Sequence, residues 1–180
     1  YLGVLYGDQA RHAEAVASFS EVIRLQPGRP LAHYNRALSY LFLERHEEAL
    51  ADFNAEAHGV GNKVTFLRSD LLGAVPEGLD LIVANLPYVP SLLLDELSNE
   101  IRREPRIALD GGPDGLDPYR RLLAQSHGRL RSKGALLVEL MPDQMDQAQG
   151  LAAMAFPTAY IGFARDLSGD PRALTVYMGG

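Results

Sequence analysis

Residues 79–88, LDLIVANLPY, decide the fold of this chain of 180 residues. The apolar run from Leu79 to Ala84 lies between turn residues, which favours a buried β-strand. The tetrapeptide Asn85 to Tyr88 follows directly, at the point where the predicted strand ends. Because ligands bind at the carboxyl ends of strands in open α/β sheets, this tetrapeptide is the first candidate for a functional site.

The tetrapeptide resembles the Asn-Pro-Pro-Tyr signature of methyltransferases that modify a planar amide or amino nitrogen. An amide nitrogen is a poor nucleophile, because its lone pair is delocalised into the carbonyl group. The Asn85 side-chain oxygen and a backbone carbonyl next to Pro87 can accept its two N–H groups and hold the nitrogen in line with a methyl donor. Tyr88 can stack on the planar group. An asparagine and a proline after a strand also make ordinary turns, so this alternative stays open for the tetrapeptide alone.

Further apolar runs alternate with helical patterns on both sides of this strand. The alternation predicts an α/β domain with a largely parallel, buried sheet. Asp117 and Pro118 are predicted as the N-cap and the first residue of a helix. The further predicted strands are residues 64–68, 134–140, 159–163 and 173–178, and the further predicted helices are residues 119–129 and 144–153.

Three blocks of sequence are similar to the release-factor glutamine methyltransferases. They are residues 104–121, which include EPRIALDGGPDGLD, residues 136–144, LLVELMPDQ, and residues 165–172, RDLSGDPR. The resemblance runs from about Asn54 to Tyr177. It implies a class I, Rossmann-like methyltransferase sheet with S-adenosylmethionine as the cofactor. It also implies methylation of the glutamine in the Gly-Gly-Gln loop of peptide chain release factors.

The resemblance further implies roles for particular residues. Asn85, Pro87 and Tyr88 would bind the substrate glutamine, and Asn85 would also contact the cofactor. Asp70, at the end of the first predicted strand, would face the adenine of the cofactor. The alternative for Asp70 is that its carboxylate caps the turn into Leu71.

Two other features of this region have both a structural and a functional interpretation. The glycine-rich residues 110–115 are either a plain turn between elements or a loop at the rim of the site. Glu139 lies in an apolar strand, where a catalytic carboxylate is conceivable. We interpret Glu139 instead as the partner in a structural hydrogen bond at the strand end.

The first 53 residues repeat with a period of 34, and this pattern resembles the tetratricopeptide repeat. Small residues let paired helices approach closely, while aromatic residues fill the gaps between them. We therefore predict tetratricopeptide-like helical hairpins at 1–53 and the C-terminal part of a methyltransferase domain at 54–180. Chance similarity between amphipathic helices is the alternative. The matching pairs are Tyr6 and Tyr40, Ala15 and Ala49, Phe19 and Phe53, with Gly3 opposite Ala37.

Two cofactor-binding features of the family are missing from residues 54–180. These are the glycine-rich turn after its first strand and the acidic residue after its second strand, since Gly59-Val60-Gly61 precedes a predicted strand instead of following one. The resemblance gives a strand order of 3-2-1-4-5-7-6, in which strands 1 and 2 are absent here. Residues 64–68 then lack a neighbour, and the incomplete sheet of four strands exposes an edge. We expect the chain by itself to bind S-adenosylmethionine weakly or not at all.

Composition and charge limit the remaining functions. The chain has no cysteine and its five histidines show no ligand spacing, so we expect no metal site. The net charge of -6 disfavours nucleic acid and leaves proteins and small molecules as partners. No apolar run is long enough to span a membrane and no signal peptide opens the chain, so we expect a cytoplasmic location. The chain begins with Tyr1, from which we expect a fragment of a longer protein.

Two other functions compete with glutamine methylation. In the first, the helical repeats bind a protein partner and the methyltransferase remnant is inert. In the second, the chain is an RNA adenine methyltransferase, because Asn-Leu-Pro-Tyr also resembles the ribosomal RNA adenine dimethylases. The acidic charge and the block at residues 104–121 count against the second alternative.

Overall fold

A computed structural model describes residues 9–26, 29, 31–61, 63–98 and 100–179. The chain divides into two compact units, a helical unit within residues 1–68 and a sheet unit within residues 69–180. This division rests on spatial contacts and does not show at which residue the tetratricopeptide-like sequence ends and the methyltransferase-like sequence begins. The predicted segments 1–53 and 54–180 therefore stay predictions. None of the described helices is long and apolar enough to cross a membrane.

The helical unit consists of paired helices, as the repeat pattern predicts. Its helices are α1, Gln9–Leu25, α2, Ala32–Phe42, and α3, His46–Ala57. Ala37 and Ala49 have no exposed surface, so the helix backbones approach closely where the sequence places small residues. The equivalent positions Gly3 and Tyr6 lie outside the described residues.

A buried polar cluster joins the three helices. Arg36 donates hydrogen bonds to both carboxylate oxygens of Asp52, each at 2.7 Å, and its third nitrogen bonds to Ser20 on α1 at 3.0 Å. The Nδ1 atom of His33 lies 2.9 Å from the same carboxylate. All of Asp52 and nearly all of His33 and Arg36 are buried, so the charges of Asp52 and Arg36 depend on their partners rather than on water. One carboxylate therefore organises the centre of this unit.

Residues 64–68, which we predicted as a strand, have no regular secondary structure. The prediction is wrong because a strand needs a neighbour for its backbone hydrogen bonds, and no described strand pairs with this segment. Its side chains pack on the helical unit instead. Phe66 contacts His33 edge to face with ring centres 6.5 Å apart, and Arg68 lies 3.6 Å from Glu48.

The sheet unit contains four described strands. They are β1, Leu79–Asn85, β2, Leu130–Glu139, β3, Tyr160–Arg165, and β4, Pro171–Tyr177. Their order is β1-β2-β4-β3, so β1 lies at an edge, as the incomplete sheet predicts. β1 and β2 pair in parallel, whereas β4 is antiparallel to both β2 and β3, so β4 alone among the four described strands runs in the opposite direction. The sheet is therefore mixed, with three strands in one direction. The reversal of β4 was not predicted, and it follows from the short link between β3 and β4, which allows an antiparallel return.

Helices pack on one face of this sheet and form the core of the unit. The principal helices are α5, Asp117–Ser126, and α6, Met145–Ala155. The Tyr119 hydroxyl joins them through a hydrogen bond of 3.1 Å to the Ala148 carbonyl, and burial raises the pKa of this phenol. On β1, by contrast, Leu81 and Val83 point away from the core and are 55% and 68% exposed. The main core residues are Ile82, Leu116, Tyr119, Leu122, Leu136, Val138, Met145, Ala148, Leu174 and Val176.

Short helical turns connect β1 to α5 and β2 to α6. They are the 3-10 turns Ser91–Glu96, Ile101–Arg103 and Pro142–Gln144, and the helix α4, Arg106–Leu109. Helix α5 begins at Asp117, and Leu116 occupies the N-cap without a side-chain hydrogen bond. The predicted N-cap role of Asp117 is therefore wrong. The Asp117 carboxylate instead accepts a hydrogen bond at 3.0 Å from Arg120, a residue of the same helix.

Candidate functional site

Asn85 is the last residue of β1 and lies at the carboxyl end of the parallel strand pair. Its Cα partner across the pair is Glu139, the last residue of β2. The Asn85 residue is exposed, because the polypeptide leaves the sheet at this point. The structure thus places the tetrapeptide at the sheet edge where the sequence predicts a binding site.

A cavity of about 570 Å³ opens beside the tetrapeptide. Asn85 and Tyr88 both line it, whereas Pro87 lies between them without contributing to the lining. Most of the wall is apolar, and Glu104 is its only formally charged residue among the described ones. A few polar groups on an apolar wall are typical of small-molecule and side-chain binding sites. The other lining residues are Leu86, Val89, Leu93, Leu97, Ile101, Ala108, Leu109 and Met141.

The tetrapeptide retains unused hydrogen-bond acceptors. In the described part of the chain, no hydrogen bond involves the Asn85 side chain or ends on the Pro87 carbonyl oxygen. The Tyr88 carbonyl oxygen, in contrast, is already bonded within the protein. No described hydrogen bond ends on the Leu86 carbonyl oxygen either, and Leu86 lines the cavity whereas Pro87 does not. The Asn85 side-chain oxygen and the Leu86 carbonyl oxygen, next to Pro87, can therefore supply the two acceptors that a planar amide requires.

A glycine-rich loop packs directly against the tetrapeptide. A Cβ atom at Gly111 would lie 2.8 Å from the Pro87 carbonyl oxygen and 2.6 Å from that of Gly115. Gly115 has a φ of +76°, and a Cβ atom there would collide with the Tyr88 carbonyl oxygen. Only glycine permits both this φ and this approach. Residues 110–115 are therefore a loop that supports the tetrapeptide, rather than a turn that merely connects two elements.

Gln144 joins this loop to the tetrapeptide. Its Nε2 atom donates to the Tyr88 carbonyl oxygen at 2.9 Å and to the Asp114 carbonyl oxygen at 3.1 Å. Its Oε1 atom accepts from the Met141 backbone N–H at 3.2 Å. The side chain is almost fully buried, so these bonds replace its contacts with water.

Asp110 closes the other end of the same loop. Its carboxylate accepts hydrogen bonds from the Ser91 hydroxyl at 2.6 Å and from the Gly112 N–H at 3.0 Å. The Ser91 hydrogen bond, with the Gly112 N–H second, holds the pKa of Asp110 below its usual range. Asp110 is therefore ionised at neutral pH, which favours a structural role for it in fixing the loop.

Asp114 carries the strongest ion pair of the loop. Arg120 donates to both of its oxygens, at 2.9 and 2.5 Å, and Gln147 adds a hydrogen bond at 3.0 Å. The hydrogen bonds from Arg120 hold the pKa of Asp114 well below its usual range. This pair attaches the loop to the first turn of α5.

Asp70 does not line the cavity that Asn85 and Tyr88 share. Its exposed carboxylate forms an ion pair with Arg121 on α5. The adjacent turn is capped by Ser69, whose hydroxyl oxygen accepts from the Ala74 N–H at 2.8 Å. The capping role that we considered for Asp70 therefore belongs to Ser69. Its role towards the adenine of a cofactor stays a prediction.

Glu139 lines a second, shallower hollow of about 200 Å³ together with Asn85 and Arg172. The structure describes no hydrogen bond to the Glu139 carboxylate, so the structural bond that we predicted for it is not observed. Its position beside Asn85 on the neighbouring strand makes it part of the rim of the site.

The two predicted cofactor-binding residues lie at different features of the described structure. Asn85 lines both of the cavities described above, whereas Asp70 lines neither of them. The close-packed glycines Gly111 and Gly115 face the chain's own carbonyl oxygens, so their backbone is not open to a ligand. In the described part of the chain, no group of three or more histidine, aspartate and glutamate side chains is placed to hold a metal ion.

Sequence patterns alone miss two parts of this site. Gln144 entered the prediction only through the resemblance, since its two acceptors lie 56 and 30 residues away along the chain. The apolar wall was not predicted at all, although Leu93, Leu97 and Ile101 recur at intervals of four residues. That spacing is the signal that indicates a shared face for these residues.

Comparison with known proteins gives two separate similarities. A family model described as tetratricopeptide repeat matches residues 2–29 and 31–55. The release factor glutamine methyltransferase of Moorella thermoacetica is 45% identical over 104 residues, which are 57% of this chain and 37% of that protein. The release factor glutamine methyltransferase of Bacillus anthracis is 32% identical over 171 residues, which are 93% of this chain and 59% of that protein.

A solved structure is also similar, the E. cuniculi Mtq2–Trm112 complex described as methylating the eRF1 translation termination factor. The match covers 71% of this chain and 69% of that chain, with 16% identity and a TM-score of 0.44. The chain spans about two fifths of the length of the first curated relatives that it matches. The sequence similarities confirm both resemblances predicted from the sequence, and the relatives are enzymes by name.

Proposed function

We propose that this chain, in which a tetratricopeptide-repeat segment precedes the C-terminal part of a release factor glutamine methyltransferase sequence, forms the acceptor site for N5-methylation of a glutamine. The observation that carries the proposal is the unbonded Asn85 side chain beside Tyr88 in a cavity of about 570 Å³. The substrate class is a glutamine side chain presented on a loop, as in the Gly-Gly-Gln loop of a peptide chain release factor.

The tetrapeptide binds the primary amide of the substrate through complementary hydrogen bonds. The Asn85 oxygen accepts one amide N–H, and the Leu86 carbonyl oxygen, next to Pro87, accepts the other. Tyr88 stacks on the planar amide and restricts its rotation. Fixing the nitrogen in this way supplies the orientation that a poor nucleophile requires, so neither a strong base nor a metal ion is needed.

The volume and lining of the cavity suit more than the amide group. A cavity of about 570 Å³ exceeds a single glutamine side chain and accepts neighbouring residues of a loop as well. Its apolar wall excludes water around the amide, which strengthens the hydrogen bonds to Asn85. These features favour a peptide substrate over an isolated amino acid.

S-adenosylmethionine is the methyl donor that the family implies. The proposed role of this chain is limited to the acceptor side, because Asp70 and Asn85 lie at separate features. We expect no micromolar binding of the cofactor by this chain alone in calorimetric titration. A micromolar isotherm would show that other residues complete the cofactor site.

Calorimetric titration with a release-factor domain that carries the Gly-Gly-Gln loop tests the acceptor site. We expect binding that is lost when the loop glutamine is replaced by alanine, and that is weakened at least tenfold, about 1.4 kcal/mol, by Asn85→Ala. Asn54→Ala, at an exposed position of the helical unit, is the matched control and should bind like the wild type. Equal affinity for both forms of the loop would reject the proposal.

The same variant separates binding from chemistry in a complete domain. If the absent strands are restored, Asn85→Ala should abolish methylation of the loop while cofactor binding stays nearly unchanged. Turnover at the wild-type rate would remove Asn85 from the proposed acceptor site.

A protein-binding function of the helical unit is the second candidate, and the repeat match at residues 2–29 and 31–55 favours it. In that case the release-factor domain would bind, but its affinity would not depend on Asn85 or on the loop glutamine.

An RNA oligonucleotide containing unpaired adenine tests the third candidate, an RNA adenine methyltransferase. With a net charge of -6 we expect no measurable RNA binding. The cytoplasmic location stays a prediction.

A further inference from the structure

We infer that Gln144 is a positioning residue that holds the acceptor tetrapeptide in its binding conformation. The inference rests on the proposed function, because the residues that Gln144 positions are those of the proposed acceptor site. It assigns a role to a buried amide that touches neither the cavity nor the substrate.

The tetrapeptide is fixed at both of its ends. At its start, Asn85 is in register with Glu139 across the parallel strand pair. At its end, the Tyr88 carbonyl oxygen accepts from Gln144 at 2.9 Å. Between these points the described structure records no hydrogen bond to the Leu86 or the Pro87 carbonyl. The orientation of the Leu86 carbonyl and of the Tyr88 ring therefore depends on the anchor at Gln144.

Two hydrogen bonds to Met141 hold Gln144 in place next to the start of α6. Its Oε1 accepts the Met141 N–H at 3.2 Å, and its own backbone N–H donates to the Met141 carbonyl at 3.0 Å. This reciprocal pair lies directly before α6, which is packed in the core. Because the Gln144 side chain is held next to the start of α6, its position follows that of the helix. The position of the Tyr88 carbonyl, to which Gln144 donates, is fixed in the same way.

The bonds of Gln144 also determine the orientation of its amide. Both partners of Nε2 are carbonyl oxygens, those of Tyr88 and Asp114, so the nitrogen must face them. Both amide protons are used, and one oxygen lone pair is used by Met141. A carboxylate of the same shape would donate no hydrogen bond and would repel both carbonyl oxygens.

The glycine loop is hydrogen-bonded to the residue that follows the tetrapeptide, Val89. Val89 donates to the Leu109 carbonyl at 3.0 Å, and Gly111 donates to the Val89 carbonyl at 2.9 Å. Gln144 bonds to the tetrapeptide at Tyr88 and to the loop at Asp114, so it connects these two segments to the same side chain. Loss of this link should loosen both segments without exposing the core.

The experiment compares the full chain with the variants Gln144→Glu and Gln144→Met. Glu keeps the size and the acceptor but replaces the two N–H donors by a charged oxygen, whereas Met keeps the approximate length and removes both the donors and the acceptor. Gln149→Glu is the matched control, because Gln149 lies on the same helix, α6, and no described hydrogen bond involves its side chain. The probe is the blocked peptide N-acetyl-Gly-Gly-Gln-amide.

Three readouts are measured on each variant by nuclear magnetic resonance. They are amide hydrogen exchange at Val89 and Gly111, exchange at Leu137 and Val138 in β2, and the Asn85 side-chain amide resonance during peptide titration. For Gln144→Glu we expect at least tenfold faster exchange at Val89 and Gly111, unchanged exchange in β2, and at least tenfold weaker peptide binding. The peptide-induced shift of the Asn85 amide should shrink in parallel.

The graded series distinguishes positioning from simple filling of space. We expect peptide affinity to fall in the order wild type, Gln144→Met, Gln144→Glu, with Gln149→Glu equal to the wild type. Wild-type exchange and affinity in Gln144→Glu would overturn the inference. If Gln144→Glu does not fold, the Met variant decides, and wild-type affinity in that variant would overturn the inference. If the wild type does not bind the peptide, the proposed function fails, whereas the exchange at Val89 and Gly111 still decides whether Gln144 holds the tetrapeptide.

Discussion

The helical unit buries a charged cluster at its centre, whereas the sheet unit buries aliphatic side chains. In the helical unit, the Asp52 carboxylate binds His33 and Arg36. In the sheet unit, Leu136 and Val138 on the central strand β2 have no exposed surface and pack against residues of the helices. Removing one partner of a buried charged cluster leaves the other charge unpaired and strongly lowers the free energy of unfolding. In an aliphatic core, the loss of free energy of unfolding grows with the volume of the side chain that is removed. The two units should therefore respond to different substitutions.

The largest effect is expected for Asp52→Ala. This change leaves two buried groups, His33 and Arg36, without their acceptor and should lower the free energy of unfolding of the helical unit by about 3–5 kcal/mol. Urea denaturation followed by hydrogen exchange of residues 32–57 measures it. Glu47→Ala on the same helix is the control, because Glu47 is exposed. A loss below about 1 kcal/mol for Asp52→Ala would mean that the cluster does not organise this unit.

The aliphatic core is tested by the same substitution at two leucines. Leu136→Ala removes a fully buried side chain and should cost the sheet unit about 3 kcal/mol. Leu81→Ala changes a side chain that is 55% exposed and should cost no more than about 0.5 kcal/mol. Thermal unfolding observed by circular dichroism compares the two. Equal losses would show that the outer face of β1 is covered in solution.

The glycine loop is tested by two glycines with nearly the same φ. Gly115 has a φ of +76° and Gly128 a φ of +75°, but a Cβ atom at Gly128 meets nothing within 4 Å. Gly128→Ala should therefore cost about 1 kcal/mol for the backbone alone. Gly115→Ala adds a collision with the Tyr88 carbonyl oxygen and should cost about 2–3 kcal/mol in total. Equal stability of the two variants would contradict close packing of the loop on the tetrapeptide.

The smallest effect is expected for Asp114→Asn. The pKa of Asp114 is lowered in the folded state, so its contribution to stability is present above its unfolded pKa and is lost as the pH falls through its folded pKa. Asp114 and Arg120 are each about one third exposed, so solvent screening limits the loss at neutral pH to at most about 1 kcal/mol. Urea denaturation at neutral and strongly acidic pH should show a difference from the wild type only at neutral pH. Asp143→Asn, at an exposed aspartate, should show no difference at either pH.

The sequence predicted the parts of the fold that depend on local pattern. The strand predicted at residues 79–84, which extends to Asn85 in the structure, is confirmed, as are the repeat helices and the order of the four-stranded sheet. The strand at residues 64–68 was wrong, because its composition favours extended backbone but pairing depends on a neighbour elsewhere in the chain. The reversed direction of β4 was not predicted, since strand direction depends on the connections and not on the strand residues.

For the candidate site, the sequence indicated two residues that line the cavity but not the contacts that hold them in place. Asn85 and Tyr88 were predicted, and both line one cavity. Asp70 was predicted for the same site, yet its carboxylate pairs with Arg121 away from that cavity. The support from Gln144 depends on a hydrogen bond across 56 residues, which no periodicity encodes.

The most direct test of the account is to map peptide binding onto both units of the ¹⁵N-labelled chain. N-acetyl-Gly-Gly-Gln-amide is titrated while the backbone and side-chain amide resonances are followed. The account predicts shifts confined to Asn85–Tyr88, to the Gly111–Leu116 loop and to the cavity wall, with the resonances of residues 32–57 unmoved. Shifts confined to residues 32–57, or no shift at the Asn85 side-chain amide at saturating peptide, would contradict it.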